Sequence, residues 1–107
     1  MPEQKKTRRQ MLEEFVANQP DDAFSRYGLA MECANGGDTA AANEHFRALL
    51  ERNADYVPAY LMYAQMLARE SRTEEARRVL SNGIAAAAQK GDHHARSEME
   101  ALLAEIA

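Results

Sequence analysis

The chain has 107 residues, one cysteine and a net charge of -4. That length allows one domain with a modest core, and a lone cysteine excludes an internal disulfide. The charge is uneven: residues 1–10 carry +3 through Lys5, Lys6, Arg8 and Arg9 against Glu3, and the remainder carries -7. An acidic body disfavours general attraction to nucleic acid or to anionic lipid. The first residues lack the apolar stretch of a secretory signal, and apolar runs such as Ile84–Ala88 are too short to span a bilayer. The expectation is a soluble cytoplasmic protein.

Apolar residues recur at three and four along the whole chain, the spacing of one helix face. The first segment, residues 4–19, has Met11, Leu12, Phe15 and Val16. Pro20-Asp21-Asp22 then breaks the pattern, with Asp21 placed to cap the next helix. The second segment has Phe24, Tyr27, Met31 and Ala34, and Asn35-Gly36-Gly37 stops it. Asp38 or Thr39 can cap the third, which carries Ala42, Phe46, Leu49 and Leu50. Residues 53–58 end that helix and open the fourth, with Pro58 in its first turn and Tyr60, Tyr63, Ala64 and Leu67 on its face.

Ser71-Arg72-Thr73-Glu74 has the form of a capping box, with Thr73 as the alternative cap. The fifth segment follows with Ala76, Val79, Leu80, Gly83, Ile84 and Ala87. Gly91-Asp92 separates it from the sixth, which has Ala95, Met99, Leu102, Leu103 and Ile106. Six helices with short connections predict antiparallel neighbours in an all-α array.

One pattern is written twice. Phe24-x2-Tyr27-Gly28-x2-Met31, then Ala42-x3-Phe46, returns as Tyr60-x2-Tyr63-Ala64-x2-Leu67, then Ala76-x3-Leu80. The second halves lie 34 residues apart and the first halves 36, which predicts a two-residue insertion in the Asn35-Gly36-Gly37 turn. The pattern resembles the tetratricopeptide repeat, whose signature is W-x2-L-G-x2-Y, then A-x3-F, then P. The departures are the missing tryptophans and Ala54 where a closing proline belongs. In this alignment Gly28 and Ala64 allow close helix approach. A mid-helix glycine costs about 1 kcal/mol relative to alanine, so Gly28 implies a packing gain.

The resemblance implies one domain over residues 1–107, a right-handed superhelix of helical hairpins. Residues 20–54 and 55–90 form the repeats, residues 4–19 resemble a helix of an incomplete leading repeat, and 92–107 form a closing helix. It also implies a non-catalytic adaptor that binds a peptide or helix on the concave face of each repeat's first helix. By phase that face comprises Ser25, Leu29, Glu32 and Cys33, then Leu61, Gln65, Ala68 and Arg69. The chaperone-binding subclass clamps a carboxylate with lysine and asparagine, which Ser25, Leu29, Leu61 and Gln65 do not match. The bland reading is that this face packs on the sixth helix or on a second copy. Two full repeats fall below the three that such arrays usually need, so a homodimer is the alternative function.

Other candidates have plainer readings. Met62 and Met66 suit core packing more than an adaptable binding surface. His94 and Glu98, one turn apart beside His93, offer two ligands without the frame of a metal site. His45 reads as a partly buried side chain and Cys33 as a small apolar residue. The basic arm has at most four cations and no interleaved aromatic, which disfavours nucleic acid. No phosphate loop, nucleophile motif or metal spacing occurs, so neither enzyme activity nor a cofactor is expected.

Overall fold

A computed structural model describes residues 5–107. Among the described residues there are six helices and no strand: α1 (Arg8–Asn18), α2 (Ala23–Asn35), α3 (Thr39–Arg52), α4 (Val57–Arg69), α5 (Thr73–Lys90) and α6 (His93–Ile106). The all-α helical-repeat class stands.

Local chemistry sets the helix starts, with three differences from the sequence reading. α1 begins at Arg8, after Lys5 and Lys6, whereas the helix was expected from residue 4; Gln4 itself lies outside the described residues. The reason is a capping box at Thr7. Its Oγ1 accepts from the Gln10 N–H at 3.1 Å, and its own N–H donates to Gln10 Oε1 at 2.9 Å. Asp22, not Asp21, caps α2 by accepting from the Ser25 N–H and hydroxyl. The box expected at Ser71–Glu74 does not form. Ser71 takes a left-handed φ of 62°, and the Arg72 at the cap position makes no side-chain cap bond. Its guanidinium donates instead to both Glu75 oxygens, at 2.6 and 3.1 Å. Asp38 and Asp92 cap α3 and α6, accepting from Ala41 and Ala95 N–H at 3.1 Å each.

The chain divides into two compact units, one ending at Leu49 and the other starting at Leu50, inside α3. In the first, α1 and α2 pack as an antiparallel hairpin. Arg8 at the start of α1 meets Glu32 near the end of α2 at 3.2 Å, and Leu12 lies over Gly28. In the second, α5 packs between α4 and α6. Asp55 meets Lys90 at 3.5 Å at one end of the α4–α5 pair. Its core includes Tyr60, Ala64, Leu80, Ala87 and Met99. The Tyr60 hydroxyl donates to the Ala54 carbonyl at 2.5 Å, so the buried ring keeps its polar tip satisfied.

The structure corrects the phase of the first repeat. α2 and α4 are each 13 residues long and start 34 residues apart, at Ala23 and Val57. The left-handed residues that follow them, Gly37 and Ser71, keep the same 34-residue spacing. The turns are equal, and the expected two-residue insertion does not exist. Burial repeats in that register: Leu29 with Tyr63, Ala30 with Ala64, Cys33 with Leu67, Ala42 with Ala76 and Phe46 with Leu80. Phe24 was set against buried Tyr60, yet it is 75% exposed; Arg26 holds the position equivalent to Tyr60. The first repeat therefore reads Arg26-x2-Leu29-Ala30-x2-Cys33, with Ala30 as its small residue.

The glycine under a packing constraint is then Gly83, not Gly28. A Cβ on Gly83 would lie 2.5 Å from both Tyr60 Cβ and Met99 Sδ, whereas one on Gly28 would meet only Leu12, at 3.7 Å. Gly83→Ala should destabilise by about 1–3 kcal/mol through overpacking. Gly28→Ala should be neutral or stabilising by up to about 1 kcal/mol. Urea unfolding of the two variants checks this, and equal effects would contradict it.

Candidate protein interface

The first unit exposes an apolar surface. Among the described residues the large hydrophobic side chains left exposed are Met11 (54%), Phe15 (50%) and Phe24 (75%), all on α1 and α2. Phe24 borders a cleft of about 460 Å³ between those helices, lined also by Leu12, Tyr27, Gly28 and Met31. The Arg8–Glu32 ion pair and Asn35 supply its polar rim. A shallower hollow of about 280 Å³ adjoins it along Met11 and Phe15. Apolar walls with a few polar groups at the rim suit the side chains of a docking segment.

The predicted site residues fare differently. Leu29 and Cys33 are each 1% exposed and belong to the core, so neither side chain is presented to a partner. Burial pushes the Cys33 thiol up, further from a reactive thiolate. Ser25 and Glu32 are half-buried and line the cleft. On α4, Leu61 packs against the core cluster of the second unit, Gln65 and Ala68 are half-buried and Arg69 is exposed. α4 and α6 are in contact, so α6 packs beside the helix that carries these four residues.

Tyr27 and Met31, which the sequence places only in the repeated apolar pattern, are the cleft residues that sequence reasoning missed. The signal was present. Counting back 34 residues from Leu61, Gln65, Ala68 and Arg69 lands on Tyr27, Met31, Ala34 and Asn35. Three of those four line the cleft. Of the two methionines weighed as core or surface, Met66 is buried and Met62 half-buried.

The basic arm is largely neutralised within the first unit. Lys6 meets Glu14 at 2.6 Å, and Arg9 meets Glu13 at 3.3 Å and Asp38 at 2.9 Å. The Ala41 N–H, and then Arg9, hold the Asp38 carboxyl below the usual carboxylate range. His94 pairs with Glu98 at 2.9 Å, and among the described residues no three His, Cys, Asp or Glu side chains converge as a metal site would need. No helix among them is long and apolar enough to cross a membrane.

His45 on α3 gives a pH dependence. Burial first, and then the charge of Arg26, push its imidazole below the usual 6.5, with Glu13 and Glu44 opposing. The fold thus prefers neutral His45. As pH falls below about 6.5 the unfolded chain takes up the proton first, so stability is lost from there down to the lower folded value. His45→Gln should flatten the stability profile in that window, and an NMR titration should give His45 a midpoint below about 6.5. A midpoint at or above that value contradicts the burial argument.

Comparison with known proteins fits this geometry. The tetratricopeptide repeat family model matches residues 36–106. A TPR repeat-containing protein, PA0015, from Pseudomonas aeruginosa is 28% identical over 95 residues, covering 89% of this chain and 90% of its own length. A tetratricopeptide repeat domain protein from Salinibacter ruber, solved by NMR, superposes with a TM-score of 0.77 at 30% identity, covering 81% of this chain and 88% of that one. Protein BPP2914 from Bordetella parapertussis gives 0.80 at 25% identity, covering 95% and 89%. Repeats of this kind generally mediate protein–protein interaction and are typically non-enzymatic scaffolds. With the 34-residue burial register, these matches show that the chain belongs to the tetratricopeptide repeat family.

Proposed function

We propose that the chain is a non-catalytic protein-binding module whose α1–α2 cleft receives an apolar segment of another polypeptide. The observation that carries this is exposed Phe24 beside a cleft lined by Leu12, Tyr27 and Met31, with exposed Met11 and Phe15 along the adjoining hollow. Exposed apolar clusters rimmed by polar groups mark interaction surfaces. Large aromatic and Met side chains are the groups that most often anchor an interface. The cleft is preformed between two packed helices, so binding orders little of the module itself. A helix presenting apolar residues at three and four fits such a groove. The strip of Gln65, Ala68 and Arg69 on α4 remains a secondary candidate contact of the second unit, without apolar anchors of comparable exposure.

A photo-reactive phenylalanine analogue at position 24 or 27 tests the reading in the protein's own cells. Adducts with another polypeptide chain are expected at both positions, with none from the same group at Glu100, which is exposed on α6. Phe24→Asp should remove the adduct formed at position 27 while changing stability by less than about 0.5 kcal/mol, as an exposed substitution. Equal adduct yields at positions 27 and 100 would contradict the proposal.

A further inference from the structure

Asparagine is a chemically labile residue, and two of those in this chain, Asn35 and Asn82, stand directly before a glycine. That pairing matters for one reaction. A backbone nitrogen can attack the side-chain amide carbon of the asparagine before it, and glycine leaves the approach open because it carries no side chain. Both asparagines are exposed, so access to water does not separate them. The backbone does.

Asn82-Gly83 lies inside the 18-residue α5. Gly83 is buried, with Tyr60 and Met99 filling the space a Cβ would take. Turning that peptide towards the Asn82 side chain would unwind the helix and displace the core, an opening close in cost to unfolding the second unit. Asn35 is instead the last residue of α2. The Gly36 N–H is held by the Glu32 carbonyl at 3.0 Å, in the final turn of the helix. Helix ends fray, so this opening is local. Gly37 follows at a φ of 84°, with nothing within 4 Å of its Cβ position. Two consecutive glycines give the segment unusual backbone freedom.

We infer that Asn35 is a site of spontaneous deamidation whose conversion alters the α2–α3 turn and the charge of the cleft. The Gly36 nitrogen bonds to Asn35 Cγ, the bond from Cγ to Nδ2 breaks, and ammonia leaves with the proton that Gly36 gives up. Water then opens the cyclic imide at either carbonyl and restores the N–H, leaving aspartate or isoaspartate. Either product sets a carboxylate at the C-terminal end of α2, where the helix dipole disfavours it. Arg8 and Glu32 balance one another among the cleft-lining residues, so the lining becomes net negative. Isoaspartate also inserts a side-chain carbon into the main chain. That disturbs the turn bonds from Gly37 N–H to the Ala34 carbonyl (3.2 Å) and from Asp38 N–H to the Cys33 carbonyl (2.9 Å), which hold Asp38 as the cap of α3. The modification goes beyond the proposed binding role and stands whether or not the cleft takes a polypeptide.

Peptide mass mapping of the full chain, incubated folded at neutral pH, tests it. Asn35 should convert to a mixture of aspartate and isoaspartate at least about tenfold faster than Asn82. In guanidinium chloride, which unfolds the chain, the two rates should come together. Gly36→Ala, at a φ of -82° that alanine adopts freely, should suppress conversion at Asn35 with helicity retained. The converted fraction, separated by its added charge, should unfold at lower denaturant than the parent. A folded chain in which Asn35 stays intact, or converts no faster than Asn82, overturns the inference. Undiminished conversion in Gly36→Ala overturns the cyclic-imide route, and a converted fraction as stable as the parent overturns the effect on the turn.

Discussion

The second unit depends on one close approach, the crossing of α4, α5 and α6 at Gly83. α5 runs for 18 residues with a glycine near its middle, at a cost of about 1 kcal/mol in helix propensity. What offsets it is contact: Tyr60 and Met99 both occupy the space a Cβ would take. Above and below that point, Leu80 and Ala87 continue the same buried face. The Tyr60 hydroxyl is satisfied by the Ala54 carbonyl in the turn before α4, which ties the turn to the core. Burial and the charge of Asp55 both push that phenol up, so it stays a neutral donor.

The first unit is built differently. Its α1–α2 hairpin carries the Arg8–Glu32 ion pair at the cleft rim and a less crowded contact of Leu12 with Gly28, while Arg9 ties α1 to Asp38 at the cap of α3. Exposed pairs of this kind contribute little stability each. They do fix the orientation of the arm, and they occupy charges that would otherwise be available to phosphate. The apolar residues such a hairpin leaves uncovered, Met11, Phe15 and Phe24, are the feature that separates it from the second unit. The division of labour follows from composition: one unit buries its large side chains, and the other leaves three outside.

The family and helix order were legible because their signals are strong and local. The alanines Ala42 and Ala76, with Phe46 and Leu80, sit in register and are fully buried. The phase of α2 was not legible, because Phe24, Tyr27 and Gly28 imitate the aromatic, apolar and small positions two residues too early. The authentic positions hold Arg26 and Cys33, which carry no such signature. That slip moved two of the four α2 residues of the expected binding face into the core, Leu29 and Cys33. α4 had no competing pattern, and Leu61, Gln65, Ala68 and Arg69 needed no change of register. The Thr7–Gln10 cap was missed for a related reason, since a basic run looks helical on propensity until the capping side chains are considered.

The account's central claim is that the α1–α2 face is the surface on which this protein meets another chain. Backbone amide shifts of the labelled protein, recorded in buffer and then inside its own cells, report on it most directly. The account predicts changes centred on Met11, Phe15, Phe24 and Tyr27, with Leu61, Gln65 and Arg69 unmoved. Spectra that match in both settings, or changes confined to α4–α6, would contradict it.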